Sequence, residues 1–317
     1  MQPMGGDRMP SNERLANVSY SEVERQVFAN LTLKPQARQL RLTRPPLELR
    51  VIEVGAGEPA LFLHGYSLCT AHWAPLIARL PSLQCIAIDM PGHGGSGGVD
   101  YSGVDLRSWF KEMLTSCLDE LGLESAHIIA HSQGAMIGMW LALDAPERVR
   151  SLVAIGTPAV AFGAHLGQLR MLALPGIGPL LTSMPARVSE SMFGRMMAAN
   201  MGRHAVDTAP ELVRAARVAQ RRAGFGKTVS TYLREMFKGV ASEPPRYVLS
   251  DDELKRIQQP VLIVWGKDDD HYQPIAEAEN KAALIPNAHF EVVPGGHEPW
   301  LDDPEPCAQL VSAFLLR

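Results

Sequence analysis

Two periods of apolar residues run along the chain and divide it into elements. In "SYSEVERQVFANL", Val23, Val27 and Leu31 fall on one stripe at helical spacing, and Ser21 and Glu24 stand at capping-box distance, which predicts a short amphipathic helix. The segments "RQLRLT" and "LELRVIEVG" then predict two strands, and "PALFLHG" a buried run ending in His64-Gly65. From there strands and helices alternate. "QCIAIDMPGHGGSGG" reads as a strand entering a glycine-rich loop, "DLRSWFKEMLTSCLDELGL" as a helix, "HIIAHSQG" as a strand with a turn, "GAMIGMWLALDAPE" as a helix and "VRSLVAIGTP" as a strand. Between Pro158 and Ser250 the pattern is helical with several prolines and no convincing strand. Strands return at "PVLIVWGKDDDHYQP" and "AHFEVVPGGHEPW", and a last helix is capped by Asp303 and begun by Pro304. The expectation is an α/β protein: a mostly parallel central sheet flanked by helices, with ligand sites beyond the carboxyl ends of its strands. Residues 1–37 would form an N-terminal extension, 38–157 and 251–317 the core, and 158–250 a helical insertion.

Composition narrows the function classes. The 317 residues carry a formal charge of -4 and a pI near 6.2, so nucleic acid is not an expected partner. Hydrophobic content of 46% with 20% charged residues is that of a soluble globular protein, and no apolar run reaches the length of a membrane span. Cys69, Cys85, Cys117 and Cys307 are far apart, as expected of reduced, buried thiols. The polar start "MQPMGGDRMPSNERLAN" has no basic segment followed by an apolar one, so the expected location is cytoplasmic. "GFGKTVS" ends like a nucleotide-binding loop, but Arg221 stands where the earlier glycine is required, and "HEPWL" lacks the second histidine of a zinc helix. No cofactor and no metal are expected; the expected partner is a small molecule.

Ser132 occupies the strand-to-helix turn of "HIIAHSQG", with small residues, Ala130 and Gly134, two positions before and after it. Such a reversal needs small residues so that backbone segments can cross. The small-x-Ser-x-Gly spacing resembles the nucleophile elbow of the α/β-hydrolase family, with Ala130 where that pattern usually has glycine. "DMPGHGGS" resembles the family's D-x-P-G-x-G-x-S loop and reads as a structural turn. His64-Gly65 resembles its His-Gly pair, and the run after His297 resembles the sequel of its histidine. The resemblance spans about Arg38 to the carboxyl terminus.

What this implies is acyl transfer. A serine hydroxyl needs a base and an orienting carboxylate, and the oxyanion needs backbone donors. The resemblance makes Ser132 the nucleophile and His297, in the loop after the last strand, the base. His131 reads as a packing residue of the elbow. Gln133 opens a helix whose free N–H groups point at the site, and with Tyr66, after Gly65, would supply the oxyanion donors. Two spacing rules that the resemblance brings with it conflict over the acid. Counting three residues from the strand-ending Gly266 selects Asp269, and counting back from Pro274 selects Asp270; Asp269 is preferred, because a loop absorbs an inserted residue more readily than a strand end does.

The insertion resembles a cap that completes a substrate pocket. Met171, Met184, Met192, Met196, Met197, Met201 and Met236 lie in it, half of the chain's 14 methionines, and either line a pocket for a lipophilic substrate or fill the cap's own core. Arg214, Arg217 and Arg221 share a helical face, expected to be solvated. The complete set of residues makes a serine hydrolase of esters, lactones or thioesters the expected function; the alternatives are a carbon–carbon hydrolase or lyase with the same residues and a ligand receptor on the same fold. The specific substrate and the oligomeric state are not legible.

Overall fold

The computed structural model describes residues 19–160, 166–184, 187–238, 249–269 and 275–316. Eight strands form one sheet: β1 (Gln36–Thr43), β2 (Pro46–Val54), β3 (Glu58–Leu63), β4 (Leu83–Ile88), β5 (Ala126–His131), β6 (Val149–Ile155), β7 (Val261–Gly266) and β8 (Ala288–Val293), in the order β1-β2-β4-β3-β5-β6-β7-β8. The pairs β1/β2 and β2/β4 are antiparallel and every later pair is parallel. Helices of more than four residues are α1 (Tyr20–Asn30), α2 (Leu106–Glu120), α3 (Gln133–Asp144), α4 (Leu166–Leu172), α5 (Gly178–Ser183), α6 (Glu190–Met201), α7 (Arg203–Thr208), α8 (Pro210–Gln220), α9 (Phe225–Met236), α10 (Ile275–Ala282) and α11 (Pro304–Leu315).

The central strands are apolar on both faces because helices cover both. Leu61, Leu63, Ile128 and Ile263 pack with α2 and α3 on one face. Their neighbours Phe62, Ile129 and Val264 pack with α1 and α11 on the other, as the period of two requires. The described residues between β6 and β7 form helices and turns with no strand, and the helices reach both clusters: Phe225, Val229 and Tyr232 of α9 join the first, Phe193, Met197 and Met201 of α6 the second. Polar side chains then stitch the inserted helices to the loops of the sheet. Gln220 Nε2 donates to the Ser67 carbonyl at 3.0 Å, Thr228 Oγ1 accepts from Val99 N–H at 2.9 Å, and Glu235 Oε1 accepts from Gly103 N–H at 2.9 Å.

Three sequence readings change. The capping box of α1 is Ser19/Glu22, two residues before the expected Ser21/Glu24. Glu24 is freed from capping and is 2% exposed, in an ion pair with Arg50 of β2. Around it, Thr70 Oγ1 donates to Glu24 at 2.5 Å, and Asp89 accepts from Thr70 N–H at 2.8 Å and Gly95 N–H at 2.7 Å. The Tyr20 hydroxyl lies 3.0 Å from Asp89. Helix α1 is thus built into the core instead of standing outside it. Of the arginine face, only Arg221 remains exposed: Arg214 pairs with Glu190 at 3.1 Å, and Arg217 donates to the Val188 carbonyl at 2.6 Å, tying α8 to α6. The cap methionines divide, with Met197, Met201 and Met236 buried and Met171, Met184, Met192 and Met196 about half exposed.

A buried carboxylate that loses its counterion is left without compensation for its lost hydration. Arg50→Met should therefore destabilise the protein by about 3–5 kcal/mol, and Glu24→Gln combined with it should recover part of the loss. Urea unfolding of both variants measures this; equal midpoints for Arg50→Met and the parent would refute it.

Candidate active site at the carboxyl ends of the strands

The turn after β5 is strained. Ser132 has φ 49° and ψ -117°, a backbone conformation that a residue with a side chain rarely adopts. Two backbone bonds hold it: Ser132 N–H donates to the Ile155 carbonyl at 2.9 Å, and Met136 N–H to the Ser132 carbonyl at 3.0 Å. The crossing is possible because residue 134 is glycine. A Cβ there would lie 2.3 Å from the Leu63 carbonyl oxygen and 2.7 Å from that of His64. Helix α3 is buried from Gly134 to Leu143, so it is apolar around its whole circumference and fixed in the core.

The loop after β3 meets this turn. A Cβ on Gly65 would lie 3.0 Å from Ser132 Cβ, which brings the Gly65-Tyr66 backbone against the elbow. His64 Nε2 accepts from Met90 N–H at 2.8 Å, so the Nδ1–H donates to the Gly65 carbonyl at 2.8 Å. Burial holds this imidazole neutral, with its pKa well below the ordinary value. The N–H of Gln133, first residue of α3, has no carbonyl one turn back to bond.

His297 approaches from the loop after β8. Its Nδ1 lies 2.8 Å from Asp269 Oδ2, and since a carboxylate only accepts, Nδ1 carries the proton and Nε2 keeps a lone pair. Both side chains are buried, with His297 5% and Asp269 1% exposed. A Cβ on Gly156, the residue after β6, would lie 3.0 Å from both Cε1 and Nδ1 of His297, and the neighbouring Ile155 carbonyl is the one that Ser132 N–H bonds. Ser132, His297 and Asp269 therefore gather where β5, β6 and β7 end. Asp270 and Pro274 lie outside the described residues.

The sequence reading underestimated two histidines. His131 does more than fill space: its Nε2–H donates to the His297 carbonyl at 3.1 Å, its ring lies 4.6 Å from the His297 ring, and Trp300 packs edge-on against it at 4.8 Å. Trp300 in turn stacks on Trp73 and donates to the His72 carbonyl at 2.8 Å. His93, in the glycine-rich loop, lines a cleft of about 260 Å³, solvent space included, together with Tyr66, Gln133, Tyr101, Phe110 and Tyr232. Position alone could have suggested it, five residues beyond the end of a central strand. The loop around it is knitted by its own bonds, such as Ser96 Oγ to the Asp89 carbonyl at 2.6 Å, as a structural turn requires.

The described lining of this cleft carries no charge near neutral pH. Burial lowers the His93 imidazole to about 4 and raises the Tyr66 phenol to about 12, and burial raises the Tyr101 phenol as well. Among the described residues no group of three or more metal-ligating side chains is gathered. Lys227, from the segment like a nucleotide-binding loop, pairs with Asp100 at 2.9 Å on the surface.

Residues 59–304 match the model of the α/β-hydrolase fold family. The chain is 29% identical over 257 residues to the carboxylesterase YbfK of Bacillus subtilis, covering 80% of this chain and 79% of that one. It is 27% identical over 256 residues to a 2-hydroxy-6-oxononadienedioate/2-hydroxy-6-oxononatrienedioate hydrolase of Paraburkholderia phymatum, covering 77% and 83%. The crystal structure of the B. subtilis carboxylesterase CesB (YbfK) superposes with a TM-score of 0.73 at 25% identity, over 93% of this chain and 96% of that one.

Beside His297, Glu298 is 2% exposed, and burial, then the negative charge of Asp269, pushes its carboxyl up to about 8 from an ordinary value of 4.5. The folded state holds this proton to higher pH than the unfolded chain does. The resulting stabilisation is complete below about pH 4.5 and lost as pH rises through about 8. In Glu298→Gln the decline of Tm across that window should be shallower than in the parent; identical declines would assign it to another group.

Proposed function

The chain belongs to the α/β-hydrolase family, and on that premise we propose that it is a serine hydrolase cleaving carboxylic esters of an apolar, uncharged small molecule through an acyl-enzyme. The observation that carries the reading is the buried Asp269–His297 hydrogen bond beside the strained Ser132 turn. In this reading Nε2 of His297 takes the Ser132 proton as Oγ attacks the ester carbonyl, and later returns it to the departing alkoxide. Asp269 fixes the tautomer and stabilises the imidazolium. The N–H groups of Tyr66 and Gln133 stabilise the oxyanion. The helical insertion at 158–250 serves as the cap, and the four free, buried thiols fit a cytoplasmic enzyme.

The electrical neutrality of the cleft favours esters over dioates. A substrate carboxylate entering it would lose hydration with no lysine or arginine among the described lining residues to compensate. The relatives include both an esterase and a dienedioate hydrolase, so the assay runs both chemistries side by side. p-Nitrophenyl esters of graded chain length should be turned over, and vinylogous diketones should not. Turnover of diketones alone would replace ester cleavage by carbon–carbon cleavage, and binding without turnover of either would indicate a receptor.

Site variants test the roles separately. A fluorophosphonate probe should label Ser132, and labelling elsewhere on active protein would refute the nucleophile. His297→Ala should lower turnover by orders of magnitude in a folded protein. Asp269→Asn should cost up to about ten-thousand-fold, and Asp270→Asn far less; a severe loss confined to Asp270→Asn would transfer the role of acid to it.

A further inference from the structure

Exposed large apolar side chains are not spread over the surface of this protein. Among the described residues nine are prominent, and seven of them, Met171, Leu174, Ile177, Leu180, Met184, Met192 and Met196, fall between α4 and α6. Each is about half exposed. Helix α6 states the anomaly most clearly. Its inward residues Phe193, Met197 and Met201 are buried at spacings of four, as a core face demands, yet its outward side presents Met192 and Met196, where water should select polar residues. Along Met171, Leu174, Ile177, Leu180 and Met184 an apolar residue recurs every three or four positions, also turned to solvent. Apolar surface concentrated in this way marks a contact.

Charge identifies what is contacted. From Leu166 to Met201 the chain carries three arginines, Arg170, Arg187 and Arg195, against the single Glu190, in a protein whose net charge is -4. The Glu190 carboxylate is taken up by Arg214 of α8. Arg187 and Arg195 are exposed with no carboxylate partner among the described residues, and Arg195 stands directly beside Met196 on the outward side of α6. Flexible thioethers and aliphatic side chains interspersed with arginines suit a fluid, negatively charged surface, in which apolar groups insert below the headgroups and guanidinium groups pair with phosphate. We propose that the exposed side chains of Met171, Leu174, Ile177, Leu180, Met184, Met192 and Met196, with Arg187 and Arg195, dock on an anionic lipid surface. The docking is peripheral: among the described residues no helix is long and apolar enough to cross a membrane.

The test uses the full chain and flotation with vesicles. Vesicles of phosphatidylcholine containing about one-third phosphatidylglycerol should carry the protein at least about tenfold better than phosphatidylcholine alone. Raising the salt to about 0.5 M should remove most of that difference. Two variants divide the contributions: Met171→Ser/Ile177→Ser/Met192→Ser removes insertion, and Arg187→Glu/Arg195→Glu reverses the charge. Because these side chains are exposed, both variants should keep the parent's Tm and circular dichroism while losing about tenfold or more in flotation. Three outcomes would overturn the proposal: no flotation of the parent, equal recovery on neutral and anionic vesicles, or flotation unaltered in both folded variants. Self-association of the parent that the apolar variant abolishes, without vesicle binding, would give the surface to a second copy of the chain and overturn it equally.

Discussion

The rest of the site depends on one close backbone approach, the passage of α3 across the end of β3. Gly134 leaves no room for a methyl group between its Cα and the carbonyls of Leu63 and His64. That contact fixes the start of α3, and with it the strained φ of Ser132 at the turn. The strain is sustained because both sides are immobile: α3 is buried along nearly its whole length, and β5 is hydrogen bonded between β3 and β6.

The histidine loop is held with comparable rigidity by different means. Beyond the end of β8 backbone and side chains share the holding: Asp268 N–H donates to the Gly295 carbonyl at 2.9 Å, His131 bonds the His297 carbonyl, Trp300 stacks on Trp73, and Asp269 bonds the imidazole. The elbow and the histidine are thus linked through His131, the residue immediately before the serine. A buried imidazole that donates from one nitrogen to a backbone carbonyl serves as a spacer of fixed length, which an apolar residue of the same volume would not be.

The inserted helices are attached by polar bonds to loops rather than by burial alone. Gln220 reaches the Ser67 carbonyl next to Tyr66, and α9 accepts from the backbone at Val99, Tyr101 and Gly103. Such bonds define position without requiring a continuous apolar interface, which leaves the outer side of the insertion to other selection. Its uncharged inner cleft and its apolar, arginine-bearing outer side therefore have separate physical causes.

Local pattern was sufficient for the strands, for the order of the core elements and for the turn at Ser132, because periodicity of two or 3.6 and the small residues at a crossing are dictated by neighbours in the chain. It was sufficient also to place Asp269 and His297 at strand ends, since Gly266 and the glycines before His297 interrupt apolar runs. It misplaced the capping box of α1 because Ser21/Glu24 and Ser19/Glu22 have the same spacing, and only the distant Arg50 and Thr70 decide that Glu24 turns inward. The arginines of α8 looked solvated for the same reason: an acceptor such as the Val188 carbonyl is supplied by another helix, not by the pattern of α8 itself. The work of His131 and His93, and the division of the methionines between core and surface, were decided by tertiary structure alone. Burial and hydrogen-bond partners are properties of the whole packing, and residues of one type at similar helical spacing receive opposite environments from it.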